Sequence, residues 1–169
     1  ITDSGVVSVT GTSSFTAGGN IILDSANTFT GTVQVSLPVA SDLTLVDTTA
    51  LDLDHLTLAT LQVNNLNLTA VGITQTDNLI VGGTSTFNGG AGVITLTDAD
   101  NNFTGAVSAN NTGAFAIQLT DVNAIQLGTI NTANNLTVTA IGITQDATSV
   151  TVGGTSTFNG GAGVITLTD

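Results

Sequence analysis

Residues 82–98 read GGTSTFNGGAGVITLTD, and residues 153–169 repeat the same seventeen letters at an offset of 71. The match extends backwards, with AVGITQ at 70–75 answering AIGITQ at 140–145. A looser copy opens the chain, where ITDSGVVSVTGTSSF at 1–15 aligns without a gap to ITQTDNLIVGGTSTF at 73–87. Further on, NTFTGTV at 27–33 answers NNFTGAV at 101–107, and LVDTTALDL at 45–53 answers LTDVNAIQL at 119–127. NNLNLTA at 64–70 likewise answers NNLTVTA at 134–140. The 169 residues thus form one run of repeat units, 1–72, 73–142 and a partial 143–169. Slippage between matched blocks falls in stretches rich in Asn, Gly and Ser, such as 88–92 and 108–114, where turns absorb insertions. Self-similarity at a fixed long period is the mark of a stacked architecture, in which each unit rests on a near-copy of itself.

Within a unit the apolar residues alternate with polar ones. Val93-Ile94-Thr95-Leu96-Thr97, Ala116-Ile117-Gln118-Leu119-Thr120 and Leu136-Thr137-Val138-Thr139 all carry Val, Ile or Leu on one side and Thr or Gln on the other. That is the pattern of a half-buried strand. The tight hairpin signal Asn-Gly occurs only at Asn88-Gly89 and its copy Asn159-Gly160, which argues against an antiparallel sandwich. The expected fold is all-β, a parallel β-helix (β-solenoid) with three or four coils per unit. Seven to nine coils at about 4.8 Å each predict a rod roughly 35–45 Å long.

Composition agrees and narrows the chemistry. The chain lacks Lys, Arg, Cys, Met, Trp, Tyr and Glu, so the helix formers with long side chains are nearly missing. Hydrophobic residues make up 41 %, too many for a disordered polar tail. Twelve aspartates give a formal charge of −12 with no lysine or arginine to offset it. Nucleic acid is excluded as a partner because nothing replaces its counterions, and anionic membrane surfaces repel such a chain. Without a run of eighteen apolar residues, no membrane insertion is expected. The absence of an initiator Met and of a signal peptide suggests a mature chain or one excised from something longer.

Few residues invite catalysis. His55 is the only histidine, and its repeat equivalent falls near Gly128, so it has no recurring partners for a triad or metal cluster. Asp52 and Asp54 share one side of a strand, the spacing of a glycosidase pair or a calcium site, but their equivalents are Gln126 and Gly128. Asp98, Asp100 and Asn102 place oxygens at alternate positions as a calcium loop does. Phe103 then stands where the turn glycine belongs and no Glu follows, so a structural turn is the better reading and no cofactor is expected. The glycine pairs at 82–83, 89–90, 153–154 and 160–161 lack the lysine of a phosphate loop and read as corners. Phe15, Phe87 and Phe158 form one matched set and Phe29 and Phe103 another, with Phe115 alone, all expected to pack. Thr84/Thr86, Thr95/Thr97, Thr137/Thr139, Thr155/Thr157 and Thr166/Thr168 form Thr-x-Thr units. Flat ladders of such units order water on ice-binding solenoids, but here they come from different blocks and are expected on different faces.

The blocks LTVTAIGITQ, VTVGGTSTFNGGAG, VITLTDADNNFTGAVSANN and AIQLTDVNAIQLGTI together resemble the repeats of filamentous-haemagglutinin-like exoproteins and related giant β-strand-repeat adhesins. The resemblance covers essentially the whole chain. It implies a right-handed helix, export by a Gram-negative bacterium, often by two-partner secretion, and a place on the cell surface or in the medium. The secretion domain of that family carries Asn-Pro motifs, whereas the single proline here, Pro38, follows Leu37, so the resemblance is to the repeat shaft only. The expected function is a non-enzymatic rigid shaft segment whose partners are neighbouring repeats, with any host ligand bound elsewhere in the full-length protein. The alternative is a self-assembling extracellular fibre or sheath subunit joined end to end. The chain starts in phase with Ile73 and stops in phase with Asp98, which speaks against simple head-to-tail stacking.

Overall fold

The computed structural model describes residues 1–37, 40–56, 63–146 and 148–168, with backbone alone for 54–56. The chain winds as a parallel β-solenoid between two main sheets. The first holds β1 (Ser8–Val9), β3 (Ile21–Phe29), β5 (Leu43–Asp47), β7 (Leu66–Thr69), β10 (Ser85–Asn88), β13 (Val107–Asn110), β15 (Ile125–Thr132), β17 (Ile143–Gln145) and β20 (Ile165–Thr166), with β18 (Val150–Val152) also on β15. The second holds β2 (Ser13–Thr16), β4 (Val33–Ser36), β6 (Leu51–Leu56), β8 (Ile73–Gln75), β11 (Ile94–Leu96), β14 (Ile117–Thr120), β16 (Leu136–Thr139) and β19 (Ser156–Asn159). A short third sheet pairs β9 (Ile80–Val81) with β12 (Asn102–Phe103). Every pairing among these strands is parallel, and register partners lie 18 (Ile125 and Ile143) to 23 (Ile94 and Ile117) residues apart.

The alternation sets the core. In β10, Ser85 and Phe87 are buried while Thr86 and Asn88 are half-exposed, and β16 repeats the pattern with Leu136 and Val138 inward. Stacking then puts like on like: Leu43 over Leu66, Ile73 over Ile94, Ile94 over Ile117. Burial of these columns supplies the main driving force, since each coil removes the apolar side of its neighbour from water.

Coil length explains an arrangement that the repeat alone does not show. Ser13 and Ser156 open the first and last strands of the second sheet, which stand seven steps apart along the stack. The coils between them therefore average about 20 residues each, at the short end for stacked repeats. At that length the offset of 71 between the identical segments advances the chain by three and a half coils, between the expected three and four. The two STFN strands accordingly lie on opposite faces, β10 in the first sheet and β19 in the second. Likewise the two ITQ strands, β8 and β17, lie in the second and the first sheet. Seven steps in the second sheet and eight in the first, at about 4.8 Å each, make the stack about 34–38 Å tall.

Buried polar side chains finish the wide corners. The Asn27 side-chain oxygen accepts the Val7 N–H at 2.8 Å, and Asp47 accepts the Phe29 N–H at 3.2 Å. One unit later Asn101 accepts the Leu79 N–H at 2.7 Å, and Asp121 accepts the Phe103 N–H at 2.9 Å. Asn27 and Asp47 are in register, so each coil's side chain caps a backbone donor of the coil below. An unmatched buried N–H would cost about 1–3 kcal/mol, which is why the corner holds Asn or Asp rather than an apolar residue.

Burial pushes the Asp121 carboxyl above its ordinary value of 3.8, against the pull of the Asn123 and Phe103 N–H groups. A folded-state value above the unfolded one means that the fold binds the proton more tightly, so this group's contribution falls as pH rises through the window above 3.8. Asp42 acts in the opposite direction: hydrogen bonds from the Asn64 side chain and the Asn65 backbone lower it, so its contribution is lost only at more acid pH. Urea denaturation across the pH range from 4 to 7 is expected to show stability rising on acidification, with a flatter profile in Asp121→Asn. An unchanged slope in that variant would remove Asp121 as the cause.

Candidate functional surface

The corners between sheets are built from backbone packed on backbone. In the AVGIT corner Gly72 has φ +94°, a conformation that favours glycine, and Gly142 in the AIGIT corner has φ +102°. The NGGAGV corner of the next coil lies directly on it, with Ala70 donating to Asn88 O at 2.9 Å and Gly72 to Gly89 O at 2.8 Å. A Cβ on Gly92 would sit 2.4 Å from the Gly72 nitrogen, and one on Gly163 meets Gly142 at the same distance. The identical letters in the two units thus mark a pair of stacked corners, which hold the glycine pairs 89–90 and 160–161. Gly83 and Gly154 of the other two pairs lie instead over Asn64 and Asn134, and only Gly90 and Gly161 among the pairs take positive φ.

The residues with chemical potential are scattered. Asp52 is half-buried on the outer side of β6, where its carboxylate accepts the Thr74 hydroxyl at 3.3 Å. His55 and Asp54 stand on the same strand, and their side chains lie outside the described residues, as do Pro38 and Asp169. Asp98 accepts the Asp100 N–H at 2.9 Å, closing a local turn, and the Asp100 carbonyl accepts the Asn78 side chain at 3.3 Å. Asn102 opens β12, opposite Ile80. Among the described residues no three acidic or histidine side chains converge as metal ligands do, and no helix is long and apolar enough to cross a membrane. A depression of about 500 Å³ at the last coil is lined by Val150, Val152, Phe158 and Leu167 beside Gln145 and Ser156, which is core surface rather than a set of ionisable groups.

The phenylalanine sets pair with each other. Phe15 meets Phe29 edge-on with ring centres 5.6 Å apart, and Phe87 meets Phe103 in the same way at 5.9 Å. The repeat offset groups these residues correctly but gives no sign of the contact. Sequence reasoning misses the buried Asn27, Asp47, Asn101 and Asp121, because Asn and Asp among turn residues read as solvated. Their signal lies in the matched blocks NTF/NNF and LVD/LTD.

The outer faces carry ladders of small polar side chains. On the first sheet Thr44, Asn67, Thr86 and Ser108 follow one another in register. On the second, Thr74, Thr95, Gln118, Thr137 and Thr157 do so. The Thr-x-Thr units do divide between faces, with Thr86 and Thr166 on the first sheet. Thr95, Thr137, Thr139 and Thr157 nevertheless gather on the second, contrary to the expected scatter. They gather because Thr95, Thr137 and Thr157 lie whole coils apart.

A parallel stack of coils whose sequence recurs along the chain defines a β-solenoid repeat protein. A family model described as repeats of unknown function (DUF5649) matches residues 1–36, 40–110 and 114–169, and the chain belongs to that family. The middle match, 40–110, is as long as the offset between the identical segments and hence spans three and a half coils. No curated protein and no solved structure matches the chain.

Proposed function

We propose that this chain is a rigid, non-enzymatic spacer in the shaft of a large bacterial adhesin or exoprotein, exported to the cell surface or the medium. The observation that carries the reading is the continuity of the stack. One set of corners, buried caps and apolar columns recurs every three and a half coils, so length is added without adding a new site. The twelve aspartates with no lysine or arginine suit a rod that must stay soluble, and the absence of Lys and Arg leaves no trypsin cleavage site. The resemblance to filamentous-haemagglutinin-like repeats supports the placement in an adhesin.

Negative-stain electron microscopy and a glycan and cell-surface binding screen test this reading together. Single rods about 34–38 Å long that bind none of the arrayed surfaces are expected. Specific binding of an arrayed glycan or cell surface by this segment, or cleavage of a polygalacturonate-type polysaccharide, would overturn the spacer reading. Long filaments would favour the fibre or sheath subunit instead.

A further inference from the structure

We propose that the upper half of the second sheet is a water-ordering face that binds ice. Thr74, Thr95, Gln118, Thr137 and Thr157 form one column over five consecutive strands, β8 to β19. Thr120, Thr139 and Asn159 form a second column beside it, two residues further along β14, β16 and β19. Parallel strands set the rungs about 4.8 Å apart, and side chains two residues apart on one face are separated by about 6.7 Å. These are close to the repeats at which oxygen atoms recur on a prism face of ice.

Three further observations separate this surface from an ordinary polar strand face. Register is unbroken from β8 to β19, so the columns are straight. Shifts occur lower in the same sheet, between Val33 and Val35, and in the first sheet at Leu23/Asn27 and Val107/Ala109. The hydroxyls of Thr95, Thr120, Thr137, Thr139 and Thr157 have no hydrogen-bond partner among the described residues and are left to water, whereas Thr74 is drawn to Asp52. From Thr95 to Thr157 and along the second column no side chain is charged, Asp52 lying one rung below Thr74, and a charged group would hold its own hydration shell in place of a lattice. The matching part of the first sheet differs: Asn88 donates to Thr69 at 3.4 Å and Asn110 to Asn88 at 3.5 Å, so its side chains engage one another.

A polysaccharide is the rival ligand for a hydroxyl-rich face. It is disfavoured because neither column carries an aromatic ring on which a sugar would stack.

The test is ice-recrystallisation inhibition and ice-affinity partitioning of the chain and two double variants. Thr95→Lys with Thr137→Lys alters the proposed face, and Thr44→Lys with Thr86→Lys alters the first sheet. Circular dichroism confirms that each variant folds. The parent is expected to enter growing ice and arrest grain coarsening, the first-sheet variant to match it, and the second-sheet variant to lose both properties. Exclusion of the parent from ice, or equal behaviour of the two variants, would overturn the proposal. Binding of the parent to a polysaccharide array in the absence of any effect on ice would assign the face to the rival ligand.

Discussion

Gly92→Ala is expected to lower the stability of the chain by about 3 kcal/mol, as forced overpacking does. The new methyl would lie 2.4 Å from the nitrogen of Gly72, 2.6 Å from its Cα and 2.7 Å from the Val71 carbonyl carbon. All three are backbone atoms of the coil below, so no side chain can swing aside. Relief requires the two coils to part, which strains the bonds from Gly72 to Gly89 and from Ile73 to Val93. Gly92 lies in the middle of the stack, where each coil holds the next, so weakening this contact separates two halves of a quasi-one-dimensional structure. Gly18→Ala is the control, because nothing lies within 4 Å of a Cβ there. Urea denaturation followed by far-ultraviolet circular dichroism reads both variants. A Gly92→Ala midpoint equal to that of Gly18→Ala would mean that the corners are not stacked as described.

Phe103→Ala is expected to cost about 3–5 kcal/mol, the range for emptying the site of a buried aromatic ring. Phe103 is 1 % exposed and meets the buried Phe87 edge-on, a geometry that adds about 0.5–1.5 kcal/mol beyond area alone. Its neighbours offer little to refill the space. Phe87 stacks between Leu68 and Ala109, and a strand held in register on both sides cannot collapse inward. Phe29→Ala should behave alike, since Phe29 has the equivalent partner in Phe15 and is also fully buried. Phe115→Ala should change stability by well under half as much, because Phe115 is 40 % exposed and stands outside the strands. Thermal and urea denaturation of the three variants give the ranking, and a Phe115→Ala loss equal to that of Phe103→Ala would contradict it.

The solenoid itself was legible because two periods coincide in the sequence: the long offset of the identical segments and the two-residue alternation within each block. Ile94 to Thr97 and Leu136 to Thr139 announce strands with one apolar side, Val93 standing 39 % exposed beside Thr95 on the polar one, and identical units have no need of a sandwich. The half coil was not legible. Each corner absorbs a few residues, so coils vary from 18 to 23, and strands of two to four residues do not reveal which sheet they join. Only the register, with STFN in the first sheet at Ser85 and in the second at Ser156, fixes the face. The same uncertainty hid the threonine columns, since alignment on a face depends on whole coils between residues and not on the repeat. Asn101 and Asp121 were obscured for another reason: their side chains turn inward to cap backbone donors, and the local sequence is that of an exposed turn.

The central claim, three and a half coils per unit, is tested most directly by disulfide formation. The chain contains no cysteine, so an introduced pair reports without interference. Thr137→Cys with Thr157→Cys places two thiols on neighbouring rungs in register, with Cα atoms about 4.8 Å apart and within disulfide reach. If the unit made three whole coils, each coil would take roughly 24 residues and Thr157 would instead stand above Ala133, within reach of a cysteine there. Rapid closure of the first pair under mild oxidation, with Ala133→Cys and Thr157→Cys remaining reduced, is the predicted result. Closure of the second pair, with the first remaining open, would contradict the half-turn repeat.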